Sequence, residues 1–464
     1  MKNSLEILYL PIKAVKPSPH AARQHNQHQR RKLKRLLKKF GQVTSIIVDE
    51  NHFIIDGHAV HEMMVELGYD EIAVVVVANR TEAEVRALRL ALNRIGLDTQ
   101  WDAPKLKAEF EALIALSFDL NLTAFYAVEI DMALSIDAPT GNTVEEVAAA
   151  VVEAQNGPTV TQPGDIWRLG RHVVACGDAR DAGHLRALVG EARVTVVFAD
   201  APDNVRIDGF VSGLGKNQHR EFAMAPGEMS KEQFISFLIA FIAALKPTLA
   251  DGAILYMCMD WRHAGELLEA AAQQELEFKN LCIWVKSNAG MGSFYRSQHE
   301  LVFVFKHGDA AHQNNFGLGQ HGRSRTNVWQ YRGVNAFGKD RTELLGIHPT
   351  CKPTAMIADA LLDVSRRGEI VLDPFLGSGS TLIAAENVGR VCIGNEIDPA
   401  YCDVAVRRWE KQTDRDAVNA TTSETFAAVA ERIATATIAV ASAESIEDSL
   451  TPAAPAEGEE GRHV

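Results

Sequence analysis

Two acidic stretches at the ends of apolar runs carry most of the chemistry this chain can do. In Asp373-Pro-Phe-Leu-Gly-Ser-Gly-Ser-Thr381 a strand-like run ends in a Gly-x-Gly turn, and a helix-like run follows. Glycines at such a turn let a ligand come close to the backbone, and the following helix presents free N–H groups to it. A further acid, Glu396, closes the next strand-like run, Val391-Cys-Ile-Gly-Asn395, where its carboxylate can hold ribose hydroxyls. An earlier strand, Val194 to Ala199, ends in Asp200-Ala-Pro-Asp-Asn204, which puts two more carboxyls at a strand tip. Taken alone, the Gly-x-Gly turn also fits a plain tight turn.

With His348-Pro-Thr-Cys-Lys-Pro353 just ahead of the glycine turn, these motifs together resemble the amino-group DNA methyltransferases, in the arrangement whose catalytic motif precedes its S-adenosylmethionine motif. The resemblance covers residues 164–413. It implies a Rossmann-like α/β fold, S-adenosyl-L-methionine as cofactor and double-stranded DNA as substrate. On the cofactor side it assigns Asp373, Phe375, Gly377, Gly379 and Thr381 to the methionine and adenosine region, Glu396 to the ribose and Lys352 to the segment over the methionine end. Asp178, in Cys176-Gly-Asp178, resembles the acid that meets the adenine ring, with a helix cap as its plain alternative.

Methylating an exocyclic amine is difficult because its lone pair is delocalised into the ring, so positioning and polarisation are the protein's main contributions. The family encodes them as Asp-Pro-Pro-Tyr: a carboxylate and a backbone carbonyl accept the amine N–H groups, and a ring stacks on the extruded base. The catalytic slot here reads Asp200, Ala201, Pro202 and Asp203. Ala201 keeps its carbonyl, and Pro202 biases it toward extended backbone, so that change costs about 1 kcal/mol of rigidity. Asp203 forfeits about 1–3 kcal/mol of base stacking and sets a second carboxyl beside Asp200, which raises one pKa. A roughly ten- to thousandfold loss of rate follows, so the expectation is a weak or inactive enzyme that keeps its cofactor pocket. Adenine N6 is expected over cytosine N4 because the motif begins with Asp rather than Ser. The rival from another class is a catalytically degenerate protein that binds DNA and cofactor.

Between the two halves, the stretch from about 286 to 345 has the place of a target-recognition insertion. Its cations Lys286, Arg296, Arg323, Arg325 and Arg332, interleaved with Phe294, Tyr295, Trp329 and Tyr331, suit phosphate and base-edge contacts. A long insertion with a solvated face is the other reading.

With 464 residues, 47% of them hydrophobic and 23% charged, the chain is long enough for two or three domains and can bury a full core. Its longest apolar stretch, Phe234 to Leu245, is stopped by Lys246-Pro247 and is too short to span a bilayer. No signal-peptide pattern opens the sequence. Six scattered cysteines without Cys-x-x-Cys pairs read as reduced, buried thiols of a cytoplasmic protein, with no metal site expected. The net charge of −13 is unusual for a DNA binder, but many of the acids collect after Asp414 among Ala, Thr and Ser, so residues 414–464 read as a solvated, disordered tail.

Residues 1–135 form a smaller α+β unit, joined to the rest by a Pro- and Gly-rich linker, 136–163. Arg30 to Phe40 places Leu33, Leu36, Leu37 and Phe40 on one helical face with cations around them, a candidate for contact with the DNA backbone. Asp56-Gly-His58 and Leu92-Asn-Arg-Ile95 resemble the ParB-like domains fused ahead of such methyltransferases. That family's Gly-His-x-Arg reads Gly57-His-Ala-Val60 here, and Val60 offers nothing to a phosphate, which speaks against nucleotide binding. The resemblance leaves a homodimer open.

Overall fold

Leu33, Leu36 and Leu37 turn one side of helix α1 (Gln27–Phe40) inward, and Gly41, at φ +69°, ends it with its N–H on the Leu37 carbonyl at 2.9 Å. The computed structural model describes residues 6–19, 27–95, 101–125, 127–134, 158–204, 229–286, 294–316, 325–331 and 352–436. The chain divides into two units, Met1–Ile136 and Asp137–Val464.

In the first unit, β1 (Ile7–Pro11), β2 (Ile46–Asp49), β3 (Ile54–Asp56) and β4 (Glu71–Val77) form a sheet in the order β1-β4-β2-β3. Gly57 joins β3 to α2 (His58–Leu67) at φ +98°, and a Cβ there would lie 2.5 Å from Ile46 Cγ2, so both backbone and packing demand glycine. Val60 packs against the core of Leu37, Ile46, Met63 and Val74. Arg30 and Lys34 of α1 pair with Glu62 and Glu66 of α2, so two cations read as facing DNA partly neutralise a neighbouring helix. Phe40, expected on the apolar face, is 48% exposed. Thr81 and Glu84 form a capping box ahead of α3 (Glu82–Ile95). Helices α4 (Ala103–Ala115) and α5 (Ala127–Leu134) meet through Phe110 and Ile130.

The second unit is built on β5 (Ile166–Leu169), β6 (His172–Cys176), α6 (Ala182–Val189), β7 (Val194–Ala199), α7 (Lys231–Leu245), β8 (Leu249–Met259), α8 (Ala264–Gln273), β9 (Glu277–Val285), β10 (His299–Lys306) and β11 (Val328–Gln330). It continues through α9 (Thr354–Val364), β12 (Ile370–Asp373), α10 (Ser380–Val388), β13 (Val391–Glu396), α11 (Pro399–Thr413), β14 (Val418–Asn419) and a last helix, α12, at 426–436. Its ten strands lie in the order β11-β9-β10-β8-β7-β12-β13-β6-β5-β14. The central five, β8 to β6, run parallel, and β10 and β5 flank them antiparallel. Alternation along β7 explains the layers: Val196 and Phe198 face the core under α9 to α11, while Val197 and Ala199 face the core under α7 and α8.

The acidic tail expected from Asp414 does not begin there. Residues 414–436 pack on the sheet: β14 pairs with β5, and Phe426 and Val429 are buried beside Trp167. Residues 437–464, like most of the expected linker, lie outside the described residues. The five cysteines within them are all buried and free. No described helix is long and apolar enough to cross a membrane.

One polar knot ties the β6 edge to α10 and α11. Glu386 accepts from His172 Nε2 at 2.6 Å, Trp409 Nε1 at 3.0 Å and Arg415 Nη2 at 2.8 Å. The Cys392 amide donates to His172 Nδ1 at 2.9 Å, which leaves the ring proton on Nε2, facing Glu386. Burial pushes the Glu386 carboxyl up, but its three donors outweigh this and hold it at about 2. A depressed carboxylate pKa contributes stability that is present above its ordinary value near 4.5 and lost as pH falls toward 2. Glu386→Gln is therefore expected to lower stability by about 1–3 kcal/mol at pH 7 and to flatten acid unfolding between pH 4.5 and 2. Urea melts across that range check it, and a loss that does not change with pH overturns the assignment.

Candidate active site

The parallel strands end on one side of the sheet, and the acids singled out above stand at their tips. Asp200 follows β7, Asp373 ends β12, Glu396 ends β13 and Asp178 follows β6. The chain lays down β6, β7 and β8 first and later inserts β12 and β13 between β7 and β6. The crevice between the tips of β7 and β12 is thus a switch point, where the strand order leaves room for a ligand.

A cleft opens there, with Asp200, Lys352, Asp373, Phe375, Gly377 and Thr381 among its walls. Gly377 has φ +53°, and a Cβ on it would meet nothing within 4 Å, so its open face belongs to the cleft. Gly379 has another reason to be glycine: at φ +84°, its Cβ would press to 2.9 Å from Ala405 Cβ, beneath the turn. Glu396 stands behind the wall. Its Oε2 accepts from the Gly377 amide at 2.8 Å and its Oε1 from the Asp398 amide at 3.0 Å, so the acid shapes the glycine turn directly. Asp373 Oδ1 takes the Phe375 amide at 3.0 Å, and burial pushes its carboxyl up to about 7.

Asp178 is not among the cleft's lining residues. It accepts from the Arg180 amide at 2.8 Å and pairs with the Arg180 guanidinium, which holds its carboxyl low. The helix-cap alternative does not apply to it, since Asp181 caps α6.

Lys352 is the centre of the other wall. Its Nζ lies 2.7 Å from Asp200 Oδ2 and 2.6 Å from Glu300 Oε1, and the other Glu300 oxygen lies 2.9 Å from Lys286 Nζ. Asp200, Cys258 and Glu300 bring one ligand atom each within 4.8 Å of one another, and the cation standing between the two carboxylates is the Lys352 ammonium. Burial opposes that charge, yet Asp200 and Glu300 outweigh it and raise Lys352 well above its ordinary range. Burial likewise pushes Glu300 up, and Lys352 and Lys286 bring it below its usual value. For Asp200, burial is the largest influence and raises its carboxyl, with Lys352 pulling against it.

Asp203 stands beside this group, its Oδ1 accepting the Asp260 amide at 3.0 Å. Burial, then the nearby Asp200 and Glu300 carboxylates, push it up to about 7, the rise expected of a second acid in this pocket. Ala201 is buried, and Asn204 clamps the chain on the far side by bonding both backbone groups of Met229. Residues 205–228 lie outside the described residues, as do 348–351.

Sequence reasoning missed Glu300 and Asp260. The available signal was an acid opening an otherwise apolar strand, but its use required knowing that β10 runs antiparallel and brings its first residues to the catalytic edge. Two of the residues expected to contact DNA have partners within the fold. Lys286 directs its ammonium to Glu300 and the Trp284 ring, 4.8 Å away, and Arg325 lies between Asp359 and Asp363 against Trp329. Both charges answer acids within the fold. Arg296 is exposed, and Arg323 and Arg332 lie outside the described residues.

Residues 194–407 match the family model described as DNA methylase. The chain is 35% identical over 224 residues to the type II methyltransferase M.HpaI of Haemophilus parainfluenzae, which covers 44% of this chain and 69% of that protein. Among solved structures, the M1.HpyAVI–SAM complex is similar over 51% of this chain and 97% of its own, at 18% identity and a TM-score of 0.37. A Pnob8-like ParB-N domain is similar over 24% of this chain and 45% of its own, at 22% identity and a TM-score of 0.19.

Asp203 also yields a sign that can be measured. Its folded pKa of about 7 exceeds the ordinary 3.8, so between these values the folded state binds more protons than the unfolded one. Its contribution to stability therefore falls as pH rises from 3.8 to 7 and is lowest above 7. Asp203→Asn keeps the acceptor for the Asp260 amide and removes the titration. The variant is expected to match the native chain near pH 4 and to exceed it by about 1–4 kcal/mol at pH 8. Thermal melts at the two pH values test this, and a difference that does not change with pH overturns it.

Proposed function

The chain belongs to the S-adenosylmethionine-dependent DNA methyltransferases of the N6/N4 amino type, and from that premise we propose that it methylates adenine N6 in double-stranded DNA at a strongly reduced rate. The observation that carries this reading is Asp200, fixed on Lys352 across the β7/β12 crevice from the Asp373–Thr381 turn, with Asp203 in place of an aromatic ring.

Bound S-adenosylmethionine supplies an electrophilic methyl on a sulfonium. The walls suit such a cation: Asp373 and Asp200 offer carboxyls, and Ser378, Ser380 and Thr381 offer hydroxyls around the open face of Gly377. Asp373, Phe375, Gly377, Thr381 and Lys352 would hold the methionine side. Glu396 would act on the ribose end and through the Gly377 amide, and Asp178 toward the adenine at the β6 edge.

Asp200 is read as the acceptor of one amine N–H. Lys352 occupies Asp200 Oδ2, which leaves Oδ1 for the base and holds the carboxylate in one orientation. The Ala201 carbonyl would take the second N–H. Drawing both hydrogens aside lets the nitrogen lone pair leave conjugation with the ring and point at the methyl. Asp rather than Ser at the head of the motif supports adenine over cytosine.

The reduced rate follows from Asp203. A carboxyl offers no stacking face, and about 1–3 kcal/mol lost from holding the base corresponds to roughly ten- to a hundredfold in rate, more where orientation also suffers. The same residue favours a second reading, a protein that binds cofactor and DNA without transferring the methyl. For residues 1–135 we infer a ParB-like module that does not bind nucleotide, since Val60 packs against an apolar core.

Transfer of labelled methyl to duplex DNA, with calorimetry of cofactor binding, separates the readings. The native chain is expected to bind S-adenosylmethionine and to label DNA slowly, and Ala201→Pro with Asp203→Tyr to label it roughly tenfold faster or more. Chromatography of the hydrolysed product is expected to give N6-methyladenine. Native labelling at an ordinary enzymatic rate overturns the impairment, and a double variant that stays silent favours the binding protein. Failure to bind cofactor overturns both.

A further inference from the structure

Two aromatic rings stand outside every cluster described so far. Phe294 and Tyr295 are 87% and 86% exposed, with centroids 4.4 Å apart and planes tilted by 58°. Single apolar residues on a surface need no explanation, but two adjacent large rings make a patch that suits a partner with a flat face.

Their position narrows the partner. The rings lie between β9 and β10, whose facing ends are tied by the Lys286 amide donating to the Gln298 carbonyl at 2.9 Å and Gln298 Nε2 donating to the Lys286 carbonyl at 3.0 Å. β10 begins at His299, beside the end of β8, and its second residue, Glu300, holds the ammonium that holds Asp200. The aromatic pair is thus only a few residues of chain from Glu300, the acid that shares the Lys352 ammonium with Asp200. Arg296 follows directly and is exposed, so a cation stands beside the two rings. A nucleic acid offers both complements, flat bases to the rings and phosphate to the guanidinium.

We propose that Phe294 and Tyr295 insert into a DNA duplex as a stacking wedge, filling the gap left by a base drawn toward Asp200. The proposal rests on the amino-methyltransferase reading above and adds how the duplex is opened. A base cannot reach a buried carboxylate without leaving its stack, and the unstacking costs free energy that contacts in the opened duplex must offset. In this chain the pocket's own ring is replaced by Asp203, and the exposed pair, unlike the single half-exposed Trp261 beside Asp260, offers two adjacent rings at this edge to supply stacking. Ring exposure, rather than burial in the cleft, assigns the pair to the vacated stack and not to the extruded base.

The test uses the full chain and a short duplex of mixed sequence, either fully paired or with one abasic site opposite an adenine. An unpaired adenine leaves its stack cheaply, so the native chain is expected to bind the abasic duplex roughly tenfold tighter or more. Phe294→Ala with Tyr295→Ala is expected to abolish most of that preference while changing affinity for the paired duplex by less than about twofold, since phosphate contacts are untouched. Phe294→Leu with Tyr295→Leu keeps apolar area without flat rings and is expected to behave like the alanine pair. With 2-aminopurine in place of the adenine, fluorescence is expected to rise on native binding and to rise less with either variant.

A preference equal in native and variant chains overturns the wedge, as does a native chain with no preference. A variant that changes only self-association in sedimentation also overturns it, by making the rings a contact between copies. If the native chain binds neither duplex, the methyltransferase reading itself falls.

Discussion

One ammonium between two buried carboxylates sets the terms for the catalytic half of this protein. Lys352 precedes α9, Asp200 ends β7 and Glu300 lies at the start of β10, and the three meet only because these elements converge at one edge of the sheet. Taking such charges out of water is unfavourable, and removing one partner of a buried pair costs about 3–5 kcal/mol by stranding the other. The arrangement therefore contributes position more than stability. Each carboxylate has one preferred place, and Asp200 cannot turn away from the cleft without breaking the bridge.

The glycine turn across the cleft is held by hydrogen bonds of its own. Asn395, fully buried at the end of β13, donates to the Gly177 and Pro374 carbonyls, and its Oδ1 lies 2.8 Å from His184 Nε2. Glu396, the next residue, holds the Gly377 amide. Two adjacent polar side chains thereby fix the end of β6, the start of the glycine turn and its middle in one register. Buried polar groups are tolerated when each has partners, and a network satisfied in this way specifies a single loop geometry.

Much of this was legible in the sequence, and the rest was hidden for identifiable reasons. The strand–turn–helix around Asp373 and the acids Asp200 and Glu396 could be read locally, because a glycine turn and an acid at a strand tip are properties of a few neighbouring residues. Lys286, Arg325 and Glu300 could not. Their meaning depends on which strand lies beside which, and an arginine among aromatics reads as a nucleic-acid contact until Asp359 and Asp363 are found beside it. Composition misled at residues 414–436, where surrounding Ala, Thr and Glu concealed Phe426 and Val429, two residues that the sheet edge needs.

Asp203 shows how a pocket can hold a further carboxyl where charge is already crowded. A full negative charge there would face Asp200 and Glu300 with only Lys352 and Lys286 to compensate. Burial and those two carboxylates push its pKa to about 7 instead, so near neutrality a large fraction of the group is protonated and the crowding of charge beside Asp200 and Glu300 is eased. The Asp260 amide gives the carboxyl a fixed partner in either state. A residue that can shed its charge keeps its cost below what a fixed charge would impose, whereas no protonation state gives it a face on which a base could stack. The cost of the carboxyl to stability therefore grows as pH rises toward 7, while its lack of a stacking face is the same at every pH.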